Sequence, residues 1–163
     1  MCTGFTVPPQ GGSFQSGLQN YELACPEGFY ISTIDVNSDR ALNGFGSFTC
    51  ASGTGAQVVG GNGRVGGPGT KRTTLASLEG NRGLNMRAGQ LIDAVQFVSP
   101  SNKVSAWQGG AGGQPKSVQC RVGSAVGGEI PMTDKVVAIC GQATASNVIT
   151  VGVRCEKFPM KSE

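Results

Sequence analysis

Residues 87–97 read Arg87-Ala88-Gly89-Gln90-Leu91-Ile92-Asp93-Ala94-Val95-Gln96-Phe97, and downstream comes Gly109-Gly110-Ala111-Gly112-Gly113. A short glycine-led loop runs into a β-rich strand, and a second glycine cluster follows it. Plain alternation from Leu91 to Val98 places Ile92, Ala94 and Val98 on one face and Leu91, Val95 and Phe97 on the other. Similar runs recur at Tyr30–Val36, Val136–Ile139 and Val148–Val153, each bounded by Gly, Asn or Ser. No window sustains a helical apolar stripe. Thr73 to Gly80 has room for one helical turn, closed off by Gly80 and Gly83. The expectation is an all-β protein forming one domain over residues 1–163.

The pattern repeats. Glycine pairs stand at Gly11-Gly12, Gly60-Gly61 and Gly109-Gly110, 49 residues apart each time. Hairpin-like stretches lie at 39–48, 89–97 and 146–153, and aligning them brings Asn43, Asp93 and Thr150 into register. Each unit reads as an outer strand, a tight loop, a paired strand and a Gly-Gly turn. The third hairpin has no such turn after it, so its partner is expected to be Gly11-Gly12, which closes the chain ends on each other. Three such sheets can pack around a common axis and bury one face each.

Composition narrows the function. The 163 residues include 27 Gly and no His, with 14% charged and 6% aromatic residues. Without His, a Ser-His-Asp or Cys-His nucleophile and a His-ligated metal are excluded. The net charge of +3 is carried by scattered basic residues, with Lys71-Arg72 adjacent. That density does not make a phosphate-tracking surface, so no nucleic-acid partner is expected. No apolar run is long enough to span a membrane as a helix. Six cysteines, at 2, 25, 50, 120, 140 and 155, form no Cys-x-x-Cys. An even count in a small, glycine-rich chain fits a disulfide framework and an extracellular setting. Many pairings are open; the repeat register favours Cys25 with Cys50 and Cys120 with Cys155, leaving Cys2 with Cys140. Met1-Cys2-Thr3-Gly4 does not read as a signal peptide, so a secreted protein with this numbering is expected to start at a trimmed or engineered terminus.

The stretch Arg87–Phe97, the glycine cluster 109–113, Cys120 and the run Ile149–Cys155 resemble the jacalin-related lectins, whose fold is the β-prism I of three Greek-key-like sheets with pseudo-threefold symmetry. Cys25-Pro26-Glu27-Gly28-Phe29-Tyr30 and Ala41-Leu42-Asn43-Gly44, ending at Cys50, resemble the vitelline membrane outer layer proteins, which share that prism. The first resemblance implies a sugar site on the family's Gly-x-x-x-Asp loop. Asp93 would accept sugar hydroxyls, the Gly89, Gln90 and Leu91 loop would donate main-chain N–H groups, and Gly109-Gly110 or Gly112-Gly113 would close the other side. It also implies mannose- or glucose-type glycans, because galactose-preferring members use a free N-terminal Gly. The chemistry is consistent, since a fixed carboxylate accepts two O–H donors and glycine lets the backbone approach a ligand. The residues alone leave open the other role for Asp93, bonding its own loop to stabilise the turn.

The other units depart from this pattern: Asp39 and Asn43 replace Gly89 and Asp93 in the first, Ser146 and Thr150 in the third. One competent site is therefore expected. Such a site binds a monosaccharide weakly, so useful affinity calls for a homo-oligomer or a place in a multidomain chain. Trp107 reads as a packing aromatic, with sugar stacking as the alternative, and Arg87 as a solubilising charge, with an acidic sugar as the alternative. Glu129 and Asp134 read as solvated loop carboxylates. Asp35, Asp39, Asp93, Glu129 and Asp134 form no acid/base motif, so neither an enzyme nor a cofactor is expected. The functional expectation is a secreted lectin-like module whose partners are glycans or glycoproteins. The alternative is a disulfide-braced coat or matrix protein.

Overall fold

The computed structural model describes residues 6–54, 58–61, 64–120 and 132–159. Among these described residues thirteen strands follow one another: β1 (Val7–Gly11), β2 (Gln19–Ala24), β3 (Phe29–Ser38), β4 (Leu42–Ser52), β5 (Val58–Gly61), β6 (Val65–Gly66), β7 (Lys71–Ala76), β8 (Gly83–Ala88), β9 (Ile92–Val98), β10 (Gln108–Gly109), β11 (Gln114–Gln119), β12 (Met132–Ala143) and β13 (Val148–Pro159). They form three antiparallel sheets, ordered β7-β3-β4-β5 with β6 also on β4, β11-β8-β9-β10, and β2-β12-β13-β1. In the first two, a hairpin is flanked by the next strands in sequence, the Greek-key order. The third has the same plan, but its flanking strands come from the N-terminus. The chain ends therefore close on each other as expected, with Gly11 opposite Thr150.

One cluster of buried side chains draws on all three sheets, including Leu42, Phe45, Ile92, Val95, Val148 and Val151. These pairs are three residues apart, whereas plain alternation would space them by two. The reason is a register shift at the start of each second hairpin strand, between Asn37 and Ser38, Arg87 and Ala88, and Gln142 and Ala143. An extra residue is inserted there, and the strand regains the core one position later. This corrects the plain-alternation reading of β9: Ile92, Val95 and Phe97 share the core face. Asp93 is the inserted residue between Ile92 and Ala94, the partners of Ala88 and Arg87.

The first two alignment positions, Asn43 and Asp93, are equivalent, since Leu42 faces Ser38 and Gly44 faces Asn37 as Ile92 faces Ala88 and Ala94 faces Arg87. The third is not Thr150. Val148 faces Ala143 and Thr150 faces Gln142, so the inserted residue is Ile149. The third hairpin loop spans 144–147 where the others span 39–41 and 89–91, and that longer loop displaces a gapless alignment. The segment Thr73–Gly80, with room for one helical turn, instead begins as strand: Lys71–Ala76 is β7 on β3. Arg72 and Thr74 there bond the Asp35 carboxylate at 2.5 and 2.6 Å.

Two expected disulfides are present, Cys25–Cys50 and Cys120–Cys155. Each ties the residue just past a strand of one sheet, β2 or β11, to a strand of another, β4 or β13, and closing chain segments of 25 and 35 residues contributes about 3–4 kcal/mol apiece in the chain-entropy account. Cys140 is also disulfide-bonded, and its expected partner Cys2 lies outside the described residues.

Candidate functional site

The three hairpin loops meet at one end of the prism, and each inserted residue is held by a glycine pair. The N–H of Gly12 donates to the carbonyl of Ile149 at 2.7 Å, that of Gly67 to Asn43 at 3.0 Å, and that of Gly110 to Asp93 at 2.7 Å. The preceding glycines, Gly11, Gly66 and Gly109, have φ of 148°, 75° and 125°. A Cβ on any of them would overlap the carbonyl oxygen of the inserted residue opposite. Only glycine permits both the positive φ and that approach. The first-unit pair is therefore Gly66-Gly67, and the even 49-residue spacing does not describe the corners; Gly60-Gly61 lies in β5. The second glycine of each pair also presses on a different hairpin loop: Gly110 on Arg40, Gly12 on Gln90, Gly67 on Ala145. The corners brace one another in a cycle.

At the middle corner the inserted side chain is Asp93, part-exposed. Its carboxylate makes no hydrogen bond or ion pair among the described residues. Gly112 and Gly113 flank it: a Cβ at Gly112 would stand 3.2 Å from Oδ1, and one at Gly113 would overlap Oδ2. Both glycine pairs thus meet Asp93, Gly109-Gly110 at its main chain and Gly112-Gly113 at its side chain. Of the loop donors, Gly89 N–H is already committed to the Leu91 carbonyl at 2.9 Å. The N–H groups of Gln90 and Leu91 have no partner among the described residues. The middle corner therefore offers a charged acceptor, two open donors and a glycine wall that leaves room at the carboxylate.

The companion corners are filled differently. Asn43 donates its amide to the Ser146 carbonyl at 3.3 Å, and its Oδ1 is buried without a partner. Asp39, which replaces Gly89, accepts from Thr70 at 3.2 Å. Ile149 is 1% exposed. Neither corner carries a carboxylate at its inserted position.

Trp107 is corrected from a packing aromatic: it is 42% exposed, and the Arg87 guanidinium lies over its ring, 5.4 Å from the centroid. No feature of the sequence around Trp107 marks that exposure. Asp134 is corrected from a solvated loop carboxylate: it sits in β12, largely shielded, 3.5 Å from Lys157 Nζ. Glu129 lies outside the described residues. The Asp35 carboxyl is held below its ordinary range, chiefly by the Thr74 hydroxyl and then by Arg72. A cleft of about 310 Å³ lies at the far end of the prism, between Tyr30, Leu78, Glu79, Ser101 and Lys135. Its charged groups are engaged: Glu79 accepts from Ser101, which helps hold its carboxyl low against the opposing effect of burial, and Lys135 stacks on Tyr30 at 4.1 Å.

The chain resembles solved lectin structures. Artocarpin in complex with mannotriose matches with a TM-score of 0.67 at 13% identity, covering 92% of this chain and 95% of that one. A mannose-binding jacalin-related lectin from Ananas comosus matches with a TM-score of 0.63 at 18% identity, covering 95% and 99%. Malaysian banana lectin matches with a TM-score of 0.63 at 13% identity, covering 94% and 99%. The fold is that of the jacalin-like β-prisms. No family model and no curated protein sequence matches the chain. At 13–18% identity the likeness is one of fold.

Proposed function

We propose that the Asp93 corner is a carbohydrate-binding site and that the protein is a secreted, non-enzymatic lectin for mannose- or glucose-type glycans. The observation that carries this reading is the Asp93 carboxylate, part-exposed and unbonded among the described residues, on a strand bulge beside the Gln90 and Leu91 N–H groups. Vicinal hydroxyls of a hexose donate to such a carboxylate while the open N–H groups donate to their oxygens. Glycines at 112 and 113 leave the acceptor uncovered. Two structural neighbours, one a mannose-binding lectin and one a mannotriose complex, support this choice of sugar class. Cross-sheet disulfides support an oxidising, extracellular setting. Few contacts must offset the ordering cost, so affinity for one sugar is weak and multivalent presentation raises it.

The test is a glycan array with the parent and Asp93→Ala. Binding to mannose- or glucose-type glycans that disappears in a variant with unchanged circular dichroism is the expected result. Equal binding by parent and variant overturns the site. A second reading, a braced coat protein, is favoured by the disulfides that join the sheets; it expects no saturable sugar binding by the parent.

A further inference from the structure

Arg87 leaves β8 opposite Ala94, the residue after Asp93. Its side chain is fixed at two points. The guanidinium stacks on Trp107, and Nη1 donates to the Ala111 carbonyl at 3.2 Å. Ala111 adjoins Gly112 and Gly113, which flank the Asp93 carboxylate. One short loop therefore carries an open anion on one flank and a pinned cation on the other. An arginine that serves only solubility keeps its rotamer freedom, whereas stacking and a backbone bond organise this one in advance. A guanidinium has five N–H donors, and a single hydrogen bond uses one of them here. Arg87 makes no ion pair among the described residues, although Asp93 is near in the fold. Trp107 stays partly in water and serves as the platform beneath the guanidinium.

The geometry points to an acidic glycan as the preferred ligand of this corner: a hexose held through its hydroxyls by Asp93, carrying a carboxylate or sulfate that Arg87 grips. This rests on the proposed Asp93 sugar site and adds the charge of its ligand. Uronic acids and sulfated sugars share the needed chemistry, an oxyanion that takes two N–H donors of the guanidinium fork.

The experiment titrates the protein at low ionic strength with three probes that differ at C6 alone: methyl α-glucoside, methyl α-glucuronide and methyl α-glucoside 6-sulfate. At least one acidic probe should bind about tenfold more tightly than the glucoside, and the two acidic arms tell carboxylate from sulfate. The advantage should shrink toward parity in about 0.5 M salt, because the pair is exposed. Arg87→Gln should bring the acidic-to-neutral ratio to about one, Arg87→Lys should restore part of it, and Trp107→Leu should lower it severalfold by freeing the guanidinium. Asp93→Ala should abolish binding of all three. If the glucoside binds and neither acidic probe gains, or Arg87→Gln keeps the preference, this inference falls and the Asp93 reading stands. If the parent binds none of the three, this inference falls, and the glycan array with Asp93→Ala decides the Asp93 site separately.

Discussion

The Asp93 and Asn43 corners share one backbone and differ in what surrounds the inserted side chain. Both follow a hairpin whose first loop N–H returns to the third loop carbonyl, Gly89 to Leu91 at 2.9 Å and Asp39 to Ala41 at 3.0 Å. Both inserted residues give their carbonyl to the second glycine of a pair. Yet the amide of Asn43 is taken by Ser146 from the third loop, while the carboxylate of Asp93 faces glycines. A common fold thus supplies the bulge and its bracing, and one side chain with its immediate neighbours decides whether the corner can receive a ligand. The same backbone closes over Ile149 at the third corner and keeps it dry.

The largest test of this comparison concerns the shared backbone. Gly109→Ala and Gly66→Ala each put a Cβ onto the carbonyl opposite at a left-handed φ, so each should cost at least about 2 kcal/mol in a thermal or urea melt. Gly60→Ala, which meets nothing within 4 Å, should stay within about 0.5 kcal/mol of the parent. A Gly109→Ala protein as stable as Gly60→Ala would end the equivalence of the corners. Next in size is Asp93→Asn, which gives the middle corner the side chain of the first. Two charge-assisted bonds become neutral ones, at about 1 kcal/mol each, so array affinity should fall roughly 30-fold with no change in melting.

The reverse exchange sharpens the contrast. Asn43→Asp turns a donor into a carboxylate facing the Ser146 carbonyl, so stability should fall by about 1 kcal/mol and titration should reveal no second sugar site. A second saturable site in that variant would show that the neighbouring loop does not govern the corner. The smallest effect concerns Asp35, a carboxylate engaged where Asp93 is open. Its folded-state pKa is lowered, so its contribution is complete above the unfolded value near 4 and is lost as pH falls through the lower folded value. Parent stability should drop across that acid window relative to its value at pH 6, and Asp35→Asn should flatten the drop.

Much of the fold was legible because its signals are local. Branched residues bounded by Gly and Asn marked the hairpins, and Cys25, Cys50, Cys120 and Cys155 bracketed them closely enough to pair correctly. Asp93 stood out by its loop and following strand. What misled was regularity: plain alternation put Ala94 with Ile92, even spacing favoured Gly60-Gly61 over Gly66-Gly67, and a gapless alignment chose Thr150 over Ile149. In each case an inserted residue or a longer loop shifted the count, and a shift of one residue reverses which side chain faces the core.

Chain composition and short-range pattern by themselves determined three β-hairpin units, a glycine pair from the N-terminus completing the third, and Asp93 as the one carboxylate among the aligned hairpin positions. Tertiary structure alone decided that Gly66-Gly67 and not Gly60-Gly61 reaches the first corner, that each corner holds an inserted residue, that Ser146 occupies Asn43, and that Arg87 rests on an exposed Trp107. Those outcomes join residues far apart in sequence, where packing between loops, and not local propensity, selects the partner.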